Sequence, residues 1–98
     1  ILNSPNNPTG VQYPESFIKE VIAYTKEQGI YLIMDDIYHR LLFDGRKPYD
    51  VYQTLGDDNS HIIVINGVSK TYAMTGFRIG WGIADKTLIS VMTKIQSH

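Results

Sequence analysis

Four side chains in this sequence have the chemistry for a ligand site. Lys70 follows the apolar run of residues 61–65 and the turn-prone Asn66-Gly67-Val68-Ser69. A lysine amine becomes a nucleophile or proton carrier once it sheds its charge. Asp35 closes a second apolar run, residues 30–34, and offers a carboxylate; Asn7 offers an amide within Asn7-Pro8-Thr9-Gly10. Arg78 stands eight positions after Lys70 with a planar guanidinium, which can grip an anion through two parallel bonds. Each also has a plain reading. Lys70 and Arg78 could be solvated surface charges, Asp35 a cap, and residues 7–10 only a turn. Position is what weakens the plain readings. In open α/β sheets ligands bind outside the carboxyl ends of the strands, and polar clusters at residues 3–10, 35–38 and 66–70 all fall at such ends.

The elements that must hold these groups are legible from periodicity. Pro14 sits where a helix would begin, and Phe17, Ile18, Val21, Ile22 and Tyr24 follow at helical spacing up to Gly29. Residues 30–34 and 61–65 are short, nearly continuous apolar runs, as expected for strands buried on both faces. Residues 37–43 fit either a short helix or an extended segment; residues 44–50 and 56–60 read as loops. A third strand is expected over residues 79–84. Asp85 is placed to cap a helix over residues 87–96 with Leu88, Val91, Met92 and Ile95 on one face. This alternation of helix and strand is an α/β pattern.

The same residues resemble a known set. Ser4-Pro5-Asn6-Asn7-Pro8-Thr9-Gly10 resembles the NPTG segment of the class I/II aminotransferases, which are fold-type I pyridoxal-phosphate enzymes. Asp35-Asp36-Ile37-Tyr38 is similar to their D-x-x-Y segment. Residues 66–81, with Ser69-Lys70-Thr71-Tyr72 and Met74-Thr75-Gly76-Phe77-Arg78, look like their cofactor-lysine region. Three motifs in the family's order, with the Lys-to-Arg spacing intact, carry far more weight than NPTG alone. The aspartate and aromatic amino-acid enzymes of bacteria and archaea are the most similar branch.

The resemblance implies the rest. The fold would be part of the mostly parallel, three-layer α/β/α large domain, with residues 79–84 as its antiparallel strand. The cofactor would be pyridoxal 5'-phosphate, held by Lys70 as a Schiff base, and the freed amine would then carry the proton. Asp35 would pair with the pyridine nitrogen and make the ring an electron sink. Asp36 is the adjacent candidate, but the family's spacing puts the acting residue three before Tyr38. Neighbours on a strand also point to opposite faces. Tyr38 and Asn7 would bond the cofactor's phenolic oxygen, Arg78 its phosphate, and Ser69 would add a hydroxyl there. Where many relatives carry a further serine, three before the lysine, this chain has Gly67. The reaction implied is transamination between an amino acid and a 2-oxo acid by a homodimer. A carbon–sulfur β-lyase on the same fold, or a non-catalytic aminotransferase-like domain of a transcription regulator, would share these residues.

Bulk composition narrows the remaining classes. The chain has 98 residues, 43% apolar and 19% charged, with nine basic and ten acidic side chains for a net charge of -1. That balance gives no footing for nucleic acid or an anionic membrane surface. There is no cysteine, which removes thiol nucleophiles and disulfides. His39, His61 and His98 lack metal-ligand spacing with acidic partners, so no metal site is expected. No apolar run is long enough to span a membrane and no signal layout appears; the expected location is the cytoplasm. Trp81 and Phe77 are expected in the core. The chain opens on Ile1-Leu2-Asn3, like a strand end, and closes on Ile95-Gln96-Ser97-His98 straight out of a helix. Domain boundaries usually fall in polar linkers. The expectation is therefore an internal segment of a large domain, residues 1–98, lacking the small domain, the N-terminal part, the ring-stacking aromatic residue and the substrate-carboxylate arginine.

Overall fold

The computed structural model describes residues 1–97; His98 lies outside them. Four strands form one sheet in chain order: β1 (Leu2–Asn3), β2 (Leu32–Asp35), β3 (Ile62–Gly67) and β4 (Gly80–Ile83). The first three run parallel and β4 returns antiparallel to β3, as expected for residues 79–84. Helix α1 (Glu15–Glu27) connects β1 to β2, and α2 (Lys86–Gln96) follows β4.

Each helix has a local cause. The buried residues of α1, Ile18, Ile22 and Thr25, recur at three- and four-residue spacing and so share one face. Gly29 ends it at φ +67, a conformation that costs glycine nothing. There Gly29 N–H reaches the Lys26 carbonyl at 3.2 Å and Ile30 N–H the Thr25 carbonyl at 2.9 Å, closing the last turn. Asp85 caps α2 by accepting from Thr87 N–H at 2.9 Å.

The core is the face of the sheet under α1: Leu32, Met34, Ile62 and Val64, packed with Ile18, Ile22 and Val51. Ile62 and Val64 are fully enclosed. Burying a side chain of this size contributes about 1.5–3 kcal/mol. The alternate residues Ile33, Asp35, Ile63 and Ile65 are only half-buried. The two central strands are therefore covered fully on one face, where the sequence pattern predicts burial on both. Met92 of α2 reaches the second face, its Cε standing 3.4 Å from where a Cβ on Gly82 would lie. Leu88 is half-buried, but Val91, Met92 and Ile95 remain exposed, although their spacing predicts a buried stripe. Trp81 and Phe77 are exposed as well, against the expectation of core positions. Residues 37–40 form a turn, not a helix or strand. Among the described residues no helix is long and apolar enough to cross a membrane.

Candidate functional site

Register decides what meets at the sheet edge. Asn3 pairs with Asp35, and Asp35 with Ile65, so the three parallel strands leave the sheet along one line. The segments that leave there are residues 4–10, residues 36–40 and the stretch to Lys70. Gly67 pairs with Gly80 of the returning β4, which brings Arg78, two residues earlier, to that same edge.

The first segment folds on its own side chains. Asn3 Oδ1 accepts from Asn7 N–H at 3.1 Å and from Asn6 Nδ2 at 3.3 Å. Gly10, at φ +70, donates its N–H to the Asn6 carbonyl at 2.8 Å. Asn3 Nδ2 also donates to the Asp35 carbonyl at 3.2 Å, tying this loop to β2. Asn7 is different: its side chain takes no part in the turn and donates through Nδ2 to the Tyr38 hydroxyl at 3.1 Å. Two candidates 31 residues apart in sequence are thereby joined. A phenol that accepts from an amide keeps its own proton to donate. Beside the pair opens a cleft of about 480 Å³, walled also by Phe43, Asp44 and Arg46.

Adjacent carboxylates part company as strand alternation requires. Asp35 is half-buried and uses Oδ1 to accept from Ile37 N–H at 3.2 Å. This is the capping role, and it leaves Oδ2 without a protein partner among the described residues. Asp36 turns to the α1 face and is 3% exposed. Burial pushes its carboxyl up to about 6; His39 opposes that shift, while Asp35 and Asp50 add to it. Loss of hydration disfavours the charged form.

Ser69 is half-buried and Lys70 exposed; among the described residues Lys70 has no ion-pair partner. Arg78 lies at φ +55 after a short 3-10 turn (Thr75–Phe77) and donates through Nη1 to the Thr75 carbonyl at 3.0 Å. No hydrogen bond or ion pair joins Lys70, Asp35 and Arg78 to one another among the described residues. The structure thus brings Asn7 and Tyr38 into contact and sets the other four at the same edge, with Arg78 turned onto its own loop.

Asn66 was given no role by sequence reasoning. It is 7% exposed, and its Oδ1 accepts from Gly67 N–H at 2.7 Å. The available signal was alternation: Asn66 is the polar third member of the buried series Ile62, Val64, Asn66.

This topology and motif order define a class, and comparison names it. The family model for "Aminotransferase class I and II" matches residues 1–98. The chain belongs to the class I and II aminotransferase family. It is 45% identical over 99 residues to a probable aspartate/prephenate aminotransferase of Rickettsia bellii, covering 100% of this chain and 25% of that protein. An aromatic aminotransferase from Pyrococcus horikoshii superposes with a TM-score of 0.87 at 34% identity, over 97% of this chain and 25% of the other. Aspartate aminotransferase from Thermus thermophilus, solved with maleate, superposes with a TM-score of 0.85 at 35% identity, over 98% and 24%. The chain therefore spans about a quarter of the length of these relatives, and the fold is that of fold-type I aminotransferases.

Proposed function

We propose that this chain is the cofactor-holding segment of a longer aminotransferase, dependent on pyridoxal phosphate, that moves an amino group between an amino acid and a 2-oxo acid. The observation that carries the reading is the Asn7–Tyr38 hydrogen bond of 3.1 Å, formed at the one sheet edge where Asp35, Ser69, Lys70 and Arg78 also emerge. The donor set suits the cofactor: an amine with no ion-pair partner among the described residues, a carboxylate with a free oxygen, a phenol with its proton to give, a guanidinium and a serine hydroxyl.

When bound, pyridoxal phosphate supplies an electron sink beside the substrate's Cα. The remaining work falls to this chain. Asp35, through its free Oδ2, holds a proton on the pyridine nitrogen. Tyr38 and Asn7 donate to the phenolic oxygen and favour its ionised form. Arg78 would bind the phosphate through its guanidinium, and Ser69 would add its hydroxyl. Lys70 would hold the cofactor covalently, and its amine, when free, would take the proton from Cα. Assembly as a homodimer in the cytoplasm, with the remaining site residues supplied by the rest of the enzyme, belongs to the same reading. The relatives reported above all bear aminotransferase names, which favours transamination over β-elimination. A dicarboxylate, maleate, in the Thermus enzyme fits an acidic amino acid as one donor.

The test uses the full-length protein. Borohydride should fix the cofactor to Lys70, and Lys70→Ala should abolish that labelling. Incubation with an amino acid and 2-oxoglutarate should transfer the amino group. Labelling elsewhere would overturn the assignment of Lys70; pyruvate and ammonia release from cystathionine, without transfer, would make the enzyme a β-lyase.

A further inference from the structure

A chain of polar side chains runs from the buried end of β2 to the turn that carries Lys70. His39 Nδ1 lies 3.0 Å from the Asp36 carbonyl and 3.4 Å from Asp36 Oδ2. Arg40 donates through Nε to His39 Nε2 at 3.2 Å. A guanidinium only donates, so Nε2 accepts here, while Nδ1 faces Asp36 and also lies 3.3 Å from Asn66 Nδ2. Arg40 then donates through Nη1 to the Tyr72 hydroxyl at 3.5 Å, 32 residues away in sequence. Tyr72 follows Lys70 by two residues, and its N–H closes that turn on the Val68 carbonyl at 3.2 Å. His39, Arg40 and Tyr72 line a cleft of about 100 Å³ walled also by Asn66 and Trp81.

The backbone ladder between β2 and the β3 side ends where Asp36 N–H reaches the Ile65 carbonyl at 3.0 Å. Beyond it the chain divides into the Tyr38 turn and the Lys70 turn. Two side-chain hydrogen bonds cross between these segments among the described residues: His39 with Asn66 at the end of β3, 3.3 Å, and Arg40 with Tyr72 beyond it, the one that reaches residues 68–74. The span suits arginine, because one rigid fork presents Nε to one turn and Nη1 to the other.

We propose that Arg40 is a positioning residue. Anchored on His39 and bonded to Tyr72, it fixes the Lys70 turn against the Tyr38 turn, so that amine and phenol keep their relation at the cofactor. The inference rests on the pyridoxal-phosphate reading above. Neither Arg40 nor Tyr72 touches the cofactor in this scheme; both act through the turns they join.

The experiment titrates the absorbance of the Lys70-linked cofactor in full-length enzyme, wild type against Arg40→Met, Tyr72→Phe and the double variant. Met keeps most of the stem's apolar contact while removing every donor. Each single variant should move the pH midpoint in the same direction by about half a unit, and the double variant no further than either single. Arg40→Lys, a point charge without the fork, should behave as Arg40→Met does. Thermal midpoints, measured in parallel, should barely change, because the bond is exposed. An unmoved pH midpoint, or a double variant that shifts by the sum of the singles, would overturn the inference while leaving the cofactor reading intact. A wild type that acquires no Lys70-linked cofactor would overturn both.

Discussion

Gly67 gives the sharpest test of how the lysine turn is held. It ends β3, is buried, and pairs with Gly80. A Cβ placed on it would stand 2.9 Å from the Ile79 carbonyl oxygen, 3.3 Å from Ile37 Cδ1 and 3.4 Å from Gly80 Cα. The isoleucine tip can rotate away, but the carbonyl cannot. It accepts from Val68 N–H at 3.2 Å, and β4 is locked in register on the other side. Adding one carbon therefore overpacks a rigid place, which costs about 1–3 kcal/mol. Weakening the Val68–Ile79 bond adds about 1 kcal/mol. Gly67→Ala and Gly67→Ser should thus each lose about 2–4 kcal/mol, with little between them, because the shared Cβ does the damage and not the hydroxyl. Denaturant unfolding of the full-length protein should show a lower midpoint at unchanged slope. Gly76→Ala is the control: nothing lies within 4 Å of its added Cβ and its φ is not positive, so its effect should stay within about 1 kcal/mol. If Gly67→Ser matches wild type, then β4 yields freely and the rigid lysine turn is refuted.

Other expectations follow from the same geometry. Ile62→Ala empties a fully enclosed site and should cost about 2–5 kcal/mol in unfolding free energy. Asn7→Ala breaks an exposed bond, so stability should change by less than about 1 kcal/mol while the pH midpoint of cofactor absorbance rises with loss of a donor to the phenolic oxygen. Asp36, raised by burial to about 6, binds its proton more tightly folded than unfolded. Its contribution to stability is therefore fully present below about pH 4 and is lost as pH rises toward 6. Asp36→Asn lacks that loss, so its stability relative to wild type should climb between about pH 4 and 6 and level off above. A flat difference across that window would contradict the assignment.

Legibility in the sequence tracked how far away each residue's partner lies. Helix α1, β2 and β3 could be read because Ile18, Ile22, Leu32, Met34, Ile62 and Val64 bury one another, and a period in the sequence records burial on a shared face. The parting of Asp35 from Asp36 was legible for the same reason, since strand geometry alone sends neighbours to opposite sides. Apolar spacing in α2, and the size of Trp81 and Phe77, recorded only that these residues are suited to burial. Periodicity names no partner, and among the described residues Val91, Met92, Ile95, Trp81 and Phe77 stand exposed. Gly67 reads as a missing serine until β4 is laid beside it, since close approach is a property of two strands. The Arg40–Tyr72 bond had no signal at all. Both residues are exposed, neither belongs to a periodic pattern, and only the parallel pairing of β2 with β3 sets their turns side by side. That same pairing, by ending both strands at one edge, is what gives a lone lysine after an apolar run a carboxylate, a phenol and an amide for company.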